Sequence, residues 1–170
     1  TTRDPRRWRE AAATWGRLQA STLGREAELR ALACVERPLG ELAAAIAPLL
    51  ADEHALALPG AEGGLGPGEL ARVRTLGPAM QARCGELAAA GIPYGLDHGD
   101  LWPSNVLLSA QGCVLIDWED AGVAHPFLGL APLLAMVREL RIDVAADELA
   151  DAYLDAFAGL RSPGELRVLF

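Results

Sequence analysis

Two short apolar runs, Val106 to Leu108 and Cys113 to Ile116, are separated by Ser109-Ala110-Gln111-Gly112 and bracketed by Asn105 and Asp117. Runs of this length around a turn segment predict a β-hairpin with a four-residue turn. An antiparallel pair returns the chain to its starting edge. Asn105, before the first strand, and Asp117, after the second, are therefore expected side by side at one end. Two hard oxygen donors, an amide and a carboxylate, converge there.

The rest of the chain reads as helix. Asp4-Pro5 is a start signal, with Asp as cap and Pro at the first helical position, and Trp8, Ala12, Trp15 and Leu18 then share a face. Ser21 to Gly24 weakens that helix, and a second is expected over Glu26 to Glu36. Pro38 opens a third that aligns Leu39, Leu42, Ala43, Ile46, Leu49 and Leu50, with a kink expected at Pro48. Residues 59–68, rich in Gly and Pro, predict a loop or subdomain boundary. Leu70, Val73, Met80, Cys84 and Leu87 continue a helical spacing to a stop at Gly91, with a break or kink expected at Gly77-Pro78. Beyond the hairpin, Leu130 to Leu140 and Leu149 to Leu160 predict helices, and Pro163 to Phe170 the start of another. The fold class expected is α+β, predominantly α-helical, with one small hairpin.

Composition narrows the partners. The 170 residues are 51% hydrophobic and only 5% aromatic, which suits close-packed helices and argues against disorder. A formal net charge of -8 opposes attraction to nucleic acid or to an anionic membrane. Cys34, Cys84 and Cys113 are odd in number and widely separated, so neither a disulfide framework nor a zinc ribbon is expected. A cytoplasmic setting fits that usage. No apolar run reaches the roughly 18 residues of a membrane span, and Thr1 to Arg9 lacks the apolar stretch of a secretory signal.

Chemistry concentrates in His98-Gly99-Asp100-Leu101-Trp102-Pro103-Ser104-Asn105, followed by Val114-Leu115-Ile116-Asp117-Trp118. The order H-x-D-x-x-x-x-N and then a later Asp is that of phosphoryl-transfer loops. In them the first Asp takes the acceptor hydroxyl's proton, and the Asn and second Asp hold magnesium. An amide oxygen and a carboxylate suit magnesium, which fills its other positions with phosphate oxygens and water. Any one of these residues alone would ordinarily be a packed histidine, a turn cap or a strand start. The ordered set is much harder to obtain that way.

His98 to Asn105, with Val114 to Ala121 and His125-Pro126, resembles the aminoglycoside phosphotransferase and choline kinase-like family, whose members share the protein-kinase-like fold. The resemblance rests on His-Gly-Asp and Asp-Trp. Less specifically, it extends over Trp8 to Leu50 and the C-terminal helices, so residues 1–170 correspond to the family's C-terminal lobe. It implies an ATP- and Mg2+-dependent kinase acting on a small-molecule hydroxyl, with Asp100 as base and Asn105 and Asp117 as metal and nucleotide-binding residues. Nothing before His98 offers the Gly-rich loop, strand Lys and helix Glu of a nucleotide lobe, so the isolated chain is expected to turn over little ATP. Gly63-Gly64-Leu65-Gly66 follows no strand and reads as turn-forming. Gly129 stands where the family usually places an Asp that braces the catalytic loop. Gly there is expected as a helix N-cap, with a more mobile loop, and Gly129→Asp is expected to raise activity or stability.

Acceptor contacts are less defined. Asp147, Asp151 and Asp155 recur every four residues, and the resemblance permits them to bind a cationic acceptor, although a solvated acidic face is the commoner cause. Glu119 and Asp120 are candidates to face the acceptor or to hydrogen-bond loop backbone. Trp102 and Trp118 are candidates to wall the pocket. His54 and His125 are expected to be structural. The rival reading is a kinase-derived, non-catalytic binding or scaffold module.

Overall fold

The computed structural model describes residues 4–57, 64–109 and 112–170. They fall into two compact units, one formed by Thr1–Glu36 with Ile92–Phe170 and the other by Arg37–Gly91.

The first unit is built on α1 (Pro5–Thr22). The Asp4 side chain accepts from the Arg6 amide at 3.0 Å and Pro5 occupies the first turn, as the start signal requires. Trp8, Ala12 and Trp15 are buried on one face, and the stripe continues through Gln19 rather than Leu18. α2 (Glu26–Ala31) is shorter than expected. Ala33 enters the left-handed region at φ 65°, while the amides of Ala33 and Cys34 close back on Arg30 and Leu29. Pro38 then disfavours helix for the residue before it, so Val35–Arg37 is a strand, β1.

β1 joins a three-stranded sheet with β2 (Gly95–Asp97) and β5 (Gly122–Ala124), in the order β1-β5-β2. This sheet has no signature in the sequence, because three-residue strands are too short to show alternation. β2 runs antiparallel to β5 with Asp97 opposite Gly122, and is held to the end of α1 where Thr22 Oγ1 accepts from the Leu96 amide at 2.9 Å. The expected hairpin is present as β3 (Val106–Ser109) and β4 (Gly112–Leu115). Its ladder runs one pair further than expected, to Ser109 opposite Gly112, and the intervening turn residues 110–111 lie outside the described residues.

α6 (Ala131–Glu139), α7 (Ala146–Leu154) and α8 (Pro163–Leu169) complete this unit. The single helix expected over Leu149 to Leu160 instead starts earlier and tightens into a 3-10 turn at Asp155–Phe157. Trp8, Trp15, Tyr153, Phe157, Leu133 and Leu149 are fully buried at the centre. Gly16 lets α1 and α7 meet, since a Cβ there would lie 2.5 Å from the Tyr153 carbonyl oxygen.

The second unit is helical: α3 (Leu39–Ala51), α4 (Glu53–Ala57) and α5 (Pro67–Ala90). Pro38 caps α3, and Pro48 lies within it. α5 runs unbroken through Gly77-Pro78, where a break was expected, and ends at Gly91 with φ 66°. Gly77 faces α3 so closely that a Cβ would stand 2.9 Å from Leu50 Cδ1, while Arg74 Nε donates to the Leu50 carbonyl and Gln81 Nε2 to that of Ala43. Helix-to-helix packing thus outweighs the two local breakers. A cavity of about 460 Å³ along this seam is lined by Ala47, Leu50, Ala51, Arg74, Pro78 and Gln81 among others. Of the proposed 59–68 boundary, residues 58–63 lie outside the described residues; Gly66 is the N-cap of α5.

The glycines predict opposite outcomes. Gly16→Ala, with no room, lowers stability by about 1–3 kcal/mol. Gly85→Ala, inside α5 with nothing within 4 Å, raises it by up to about 1 kcal/mol. Thermal melts of the two variants check this; shifts of the same sign would contradict the packing described.

Candidate functional site

The motif residues occupy the turns that leave β2 and β4. After Asp97 the chain enters His98-Gly99-Asp100, and Leu101, nearly wholly buried, pins the next step. The Trp102 amide donates to the Asp100 carbonyl at 2.8 Å, and a 3-10 turn over Pro103–Asn105 leads into β3. The loop is therefore folded back on itself before the hairpin begins.

Asn105 fastens this loop. Its Nδ2 donates to the Asp100 carbonyl at 2.9 Å and to Asp100 Oδ2 at 3.0 Å, and its own carbonyl accepts from the Ile116 amide at 3.0 Å. The Asp100 and Asn105 side chains are thus in direct contact. Because Asn105 pairs with Ile116 through the main chain, Asp117 is the next residue along at the same end of the hairpin. Asp117 is exposed and holds φ 65°, an unusual conformation that Asp tolerates better than most residues.

His98 and Gly99 tie the loop to the segment after β4. His98 is fully buried, and its Nε2 lies 2.9 Å from the Ile116 carbonyl; a carbonyl can only accept, so that nitrogen carries the proton. The ring rests against Trp118 at 4.5 Å, and Trp118 Nε1 donates to the Leu115 carbonyl at 3.0 Å. Trp118 therefore packs on the histidine. At Gly99, φ is 80° and a Cβ would overlap the Asp120 carbonyl, so only glycine allows this approach. It is the Asp120 main chain that meets the loop, while the Glu119 and Asp120 residues are exposed and Trp102 is 40% exposed.

The remaining candidates separate from this cluster. Asp147 and Asp151 face Arg167 of α8, whose guanidinium nitrogens approach them at 3.7 and 2.8 Å, and Asp155 belongs to the 3-10 turn. The acidic row is therefore largely an inter-helix brace. His125 is buried, with Nδ1 accepting from the Phe127 amide at 3.3 Å. Burial lowers its pKa from 6.5 to about 4, so it is neutral and structural.

Gly129 departs from expectation. It is not a helix N-cap: it closes the 3-10 turn Pro126–Leu128 in ordinary right-handed geometry, φ -74° and ψ -15°, two residues before α6. A Cβ built on it would overlap Asp97 Oδ1 and stand 3.1 Å from Trp15 Cζ2. Gly129→Asp would have to displace Asp97 Oδ1 and would set a second carboxylate beside it, so the packing lends no support to the gain expected from that substitution. Position 97 was passed over in the sequence; its one signal is an acid at the end of a run destined for the core.

Asn105 and Asp117 offer the oxygen donors that magnesium takes. With Asn105 Nδ2 turned to Asp100, Oδ1 is the amide atom left for a cation, so the donor chemistry fits. Among the described residues no three His, Cys, Asp or Glu side chains gather into a metal cage, and no helix is long and apolar enough to cross a membrane.

The fold is mostly helical with small sheets, an α+β arrangement compatible with a phosphotransferase. The model of the phosphotransferase enzyme family matches residues 2–167, and the chain belongs to that family. No curated protein matches it significantly.

His125 sets an acid limit on this fold. Its native pKa near 4 lies below the ordinary 6.5, so the unfolded chain takes up the proton first as pH falls. Stability present above pH 6.5 is lost progressively down to about pH 4, by roughly 3 kcal/mol. His125→Asn, which keeps an acceptor for the Phe127 amide, should flatten that stretch of the pH–stability curve. An unchanged slope in the variant would remove His125 as its cause.

Proposed function

We propose that this chain is the C-terminal, substrate-binding lobe of a kinase-like phosphotransferase. The reaction moves the γ-phosphate of ATP, with Mg2+, to a hydroxyl of a small molecule of aminoglycoside, amino-alcohol or sugar-like type. The observation that carries this reading is Asn105, whose side-chain amide donates to the Asp100 carboxylate while its main-chain carbonyl accepts from Ile116, the residue before Asp117.

In this reading Asp100 orients the acceptor hydroxyl and accepts its proton as the oxygen attacks phosphorus. The hydrogen bond from Asn105 to Oδ2 holds the carboxylate in one rotamer, leaving Oδ1 for the acceptor. Asn105 Oδ1 and the Asp117 carboxylate would hold Mg2+, which would supply charge neutralisation to the phosphates. Nearby, Trp102 offers an exposed ring to the acceptor, with Glu119 and Asp120 as carboxylates for an amine-bearing one. The net charge of -8 is compatible with a cationic acceptor and unfavourable for a polyanionic one.

Two variants of the full-length protein test these roles. Asp100→Asn keeps the shape and removes the base; kcat should fall by about 10²–10⁴-fold with nucleotide binding retained. Asp117→Ala should abolish Mg2+-dependent nucleotide binding, read by calorimetry. Wild-type nucleotide binding with no phosphorylation across a panel of amino-alcohols, aminoglycosides and sugars would favour the scaffold reading. Unimpaired turnover in Asp100→Asn would remove Asp100 as the base.

A further inference from the structure

Asp97 stands out among the buried residues. It is 7% exposed and, among the described residues, the one carboxylate in the buried set. A strand end inside a core ordinarily takes an apolar residue, because burying a carboxylate is costly unless its surroundings compensate. Its neighbour in space, Gly129, is equally unexpected. The backbone there is right-handed and open to any residue type, so conformation does not call for glycine. One contact explains both choices: Asp97 Oδ1 occupies the place a Cβ at position 129 would take, with Gln19 Nε2 at 3.2 Å from the same point.

A polar junction of Gln19 and Tyr153 lies beside that carboxylate and fixes the main chain on either side of it. Gln19 of α1 donates through Nε2 to the Leu96 carbonyl at 3.1 Å, fixing the peptide just before Asp97. Gln19 Oε1 lies 2.5 Å from the Tyr153 hydroxyl, which is also 2.6 Å from the Pro126 carbonyl. Burial, and then the charge of Asp97, raise the Tyr153 pKa well above its usual value, so the phenol keeps its proton and remains a donor. Along the main chain, Asp97 pairs with Gly122 and is followed at once by His98-Gly99-Asp100. The carboxylate is therefore seated where α1, β5 and the turn before α6 meet, one residue ahead of the loop that bears Asp100.

We propose that Asp97 is a positioning residue for this loop: its carboxylate, lodged in the space Gly129 leaves open, anchors the start of His98-Gly99-Asp100, and Asp97 and Gly129 act as one unit. The inference rests on the reading of Asp100 as the acceptor's base, and its test separates the two.

Three readouts on the full-length protein decide it. In thermal melts, Gly129→Ala alone should lower the midpoint by about 3 °C or more, and by less than half as much in an Asp97→Ala background, because the obstructing oxygen is gone. In hydrogen exchange, Asp97→Asn should speed exchange at the Gly99 and Asp100 amides about tenfold, leaving the β3 and β4 amides unchanged. In kinetics, Asp97→Asn should lower kcat about tenfold with both KM values within about twofold, and Asp97→Ala with Gly129→Asp should recover part of the kcat lost in Asp97→Ala. Additive midpoint shifts would dissolve the pair. Unchanged loop exchange would overturn the positioning role, whether or not the protein phosphorylates anything. A wild-type protein without activity but with the predicted melts and exchange would sink the base assignment and leave the positioning role standing.

Discussion

The hydrogen bond from His98 Nε2 to the Ile116 carbonyl joins two stretches of chain that are otherwise separate turns. One carries Asp100 and the other Asp117. The donor ring is fully buried and packs against Trp15 and Trp118, which holds its Nε2 toward that carbonyl. The bond also fixes which ring nitrogen is protonated. Gly99 against the Asp120 carbonyl and the Asn105 carbonyl on the Ile116 amide repeat the connection on either side. Three short ties thus convert a hairpin and a loop into one rigid platform for polar groups.

Behind the platform lies a polar junction of a kind that apolar cores ordinarily avoid. Gln19, Tyr153 and Asp97 meet there, and Gln19 and Tyr153 bind main-chain carbonyls at Leu96 and Pro126. Each carbonyl lies just ahead of a turn: the one bearing His98-Gly99-Asp100 in one case, the one leading to α6 in the other. Such a junction demands a particular geometry, whereas an apolar contact would tolerate sliding. α1 is its foundation, because Gly16 brings that helix against the end of α7 and so places Gln19 beside Tyr153.

Much of this was legible in the residues. The hairpin was readable because two apolar runs around a turn leave few alternatives, and its pairing brought Asn105 to Ile116, the residue before Asp117. The caps at Asp4-Pro5 and Gly91 were readable because their chemistry is local. What failed to show was what depends on distant partners. β1, β2 and β5 carry no alternation, and Val35–Arg37 reads as helix until Ala33 and Pro38 are seen acting together. Gly77-Pro78 reads as a break until α3 is packed against it. Gly129 was misread because its reason lies 32 positions away in sequence, at the Asp97 carboxylate.

The central claim is that Asp100, Asn105 and Asp117 form one metal-and-acceptor site. It is tested most directly by paramagnetic broadening in amide NMR spectra of the full-length protein, with Mn2+ and nucleotide added in place of Mg2+. The account predicts that the amides of Asp100, Asn105 and Asp117 are lost first, while those of Asp147 and Asp151, engaged with Arg167, persist. Broadening centred on Asp147 and Asp151, or spread without preference over the acidic surface, would contradict it.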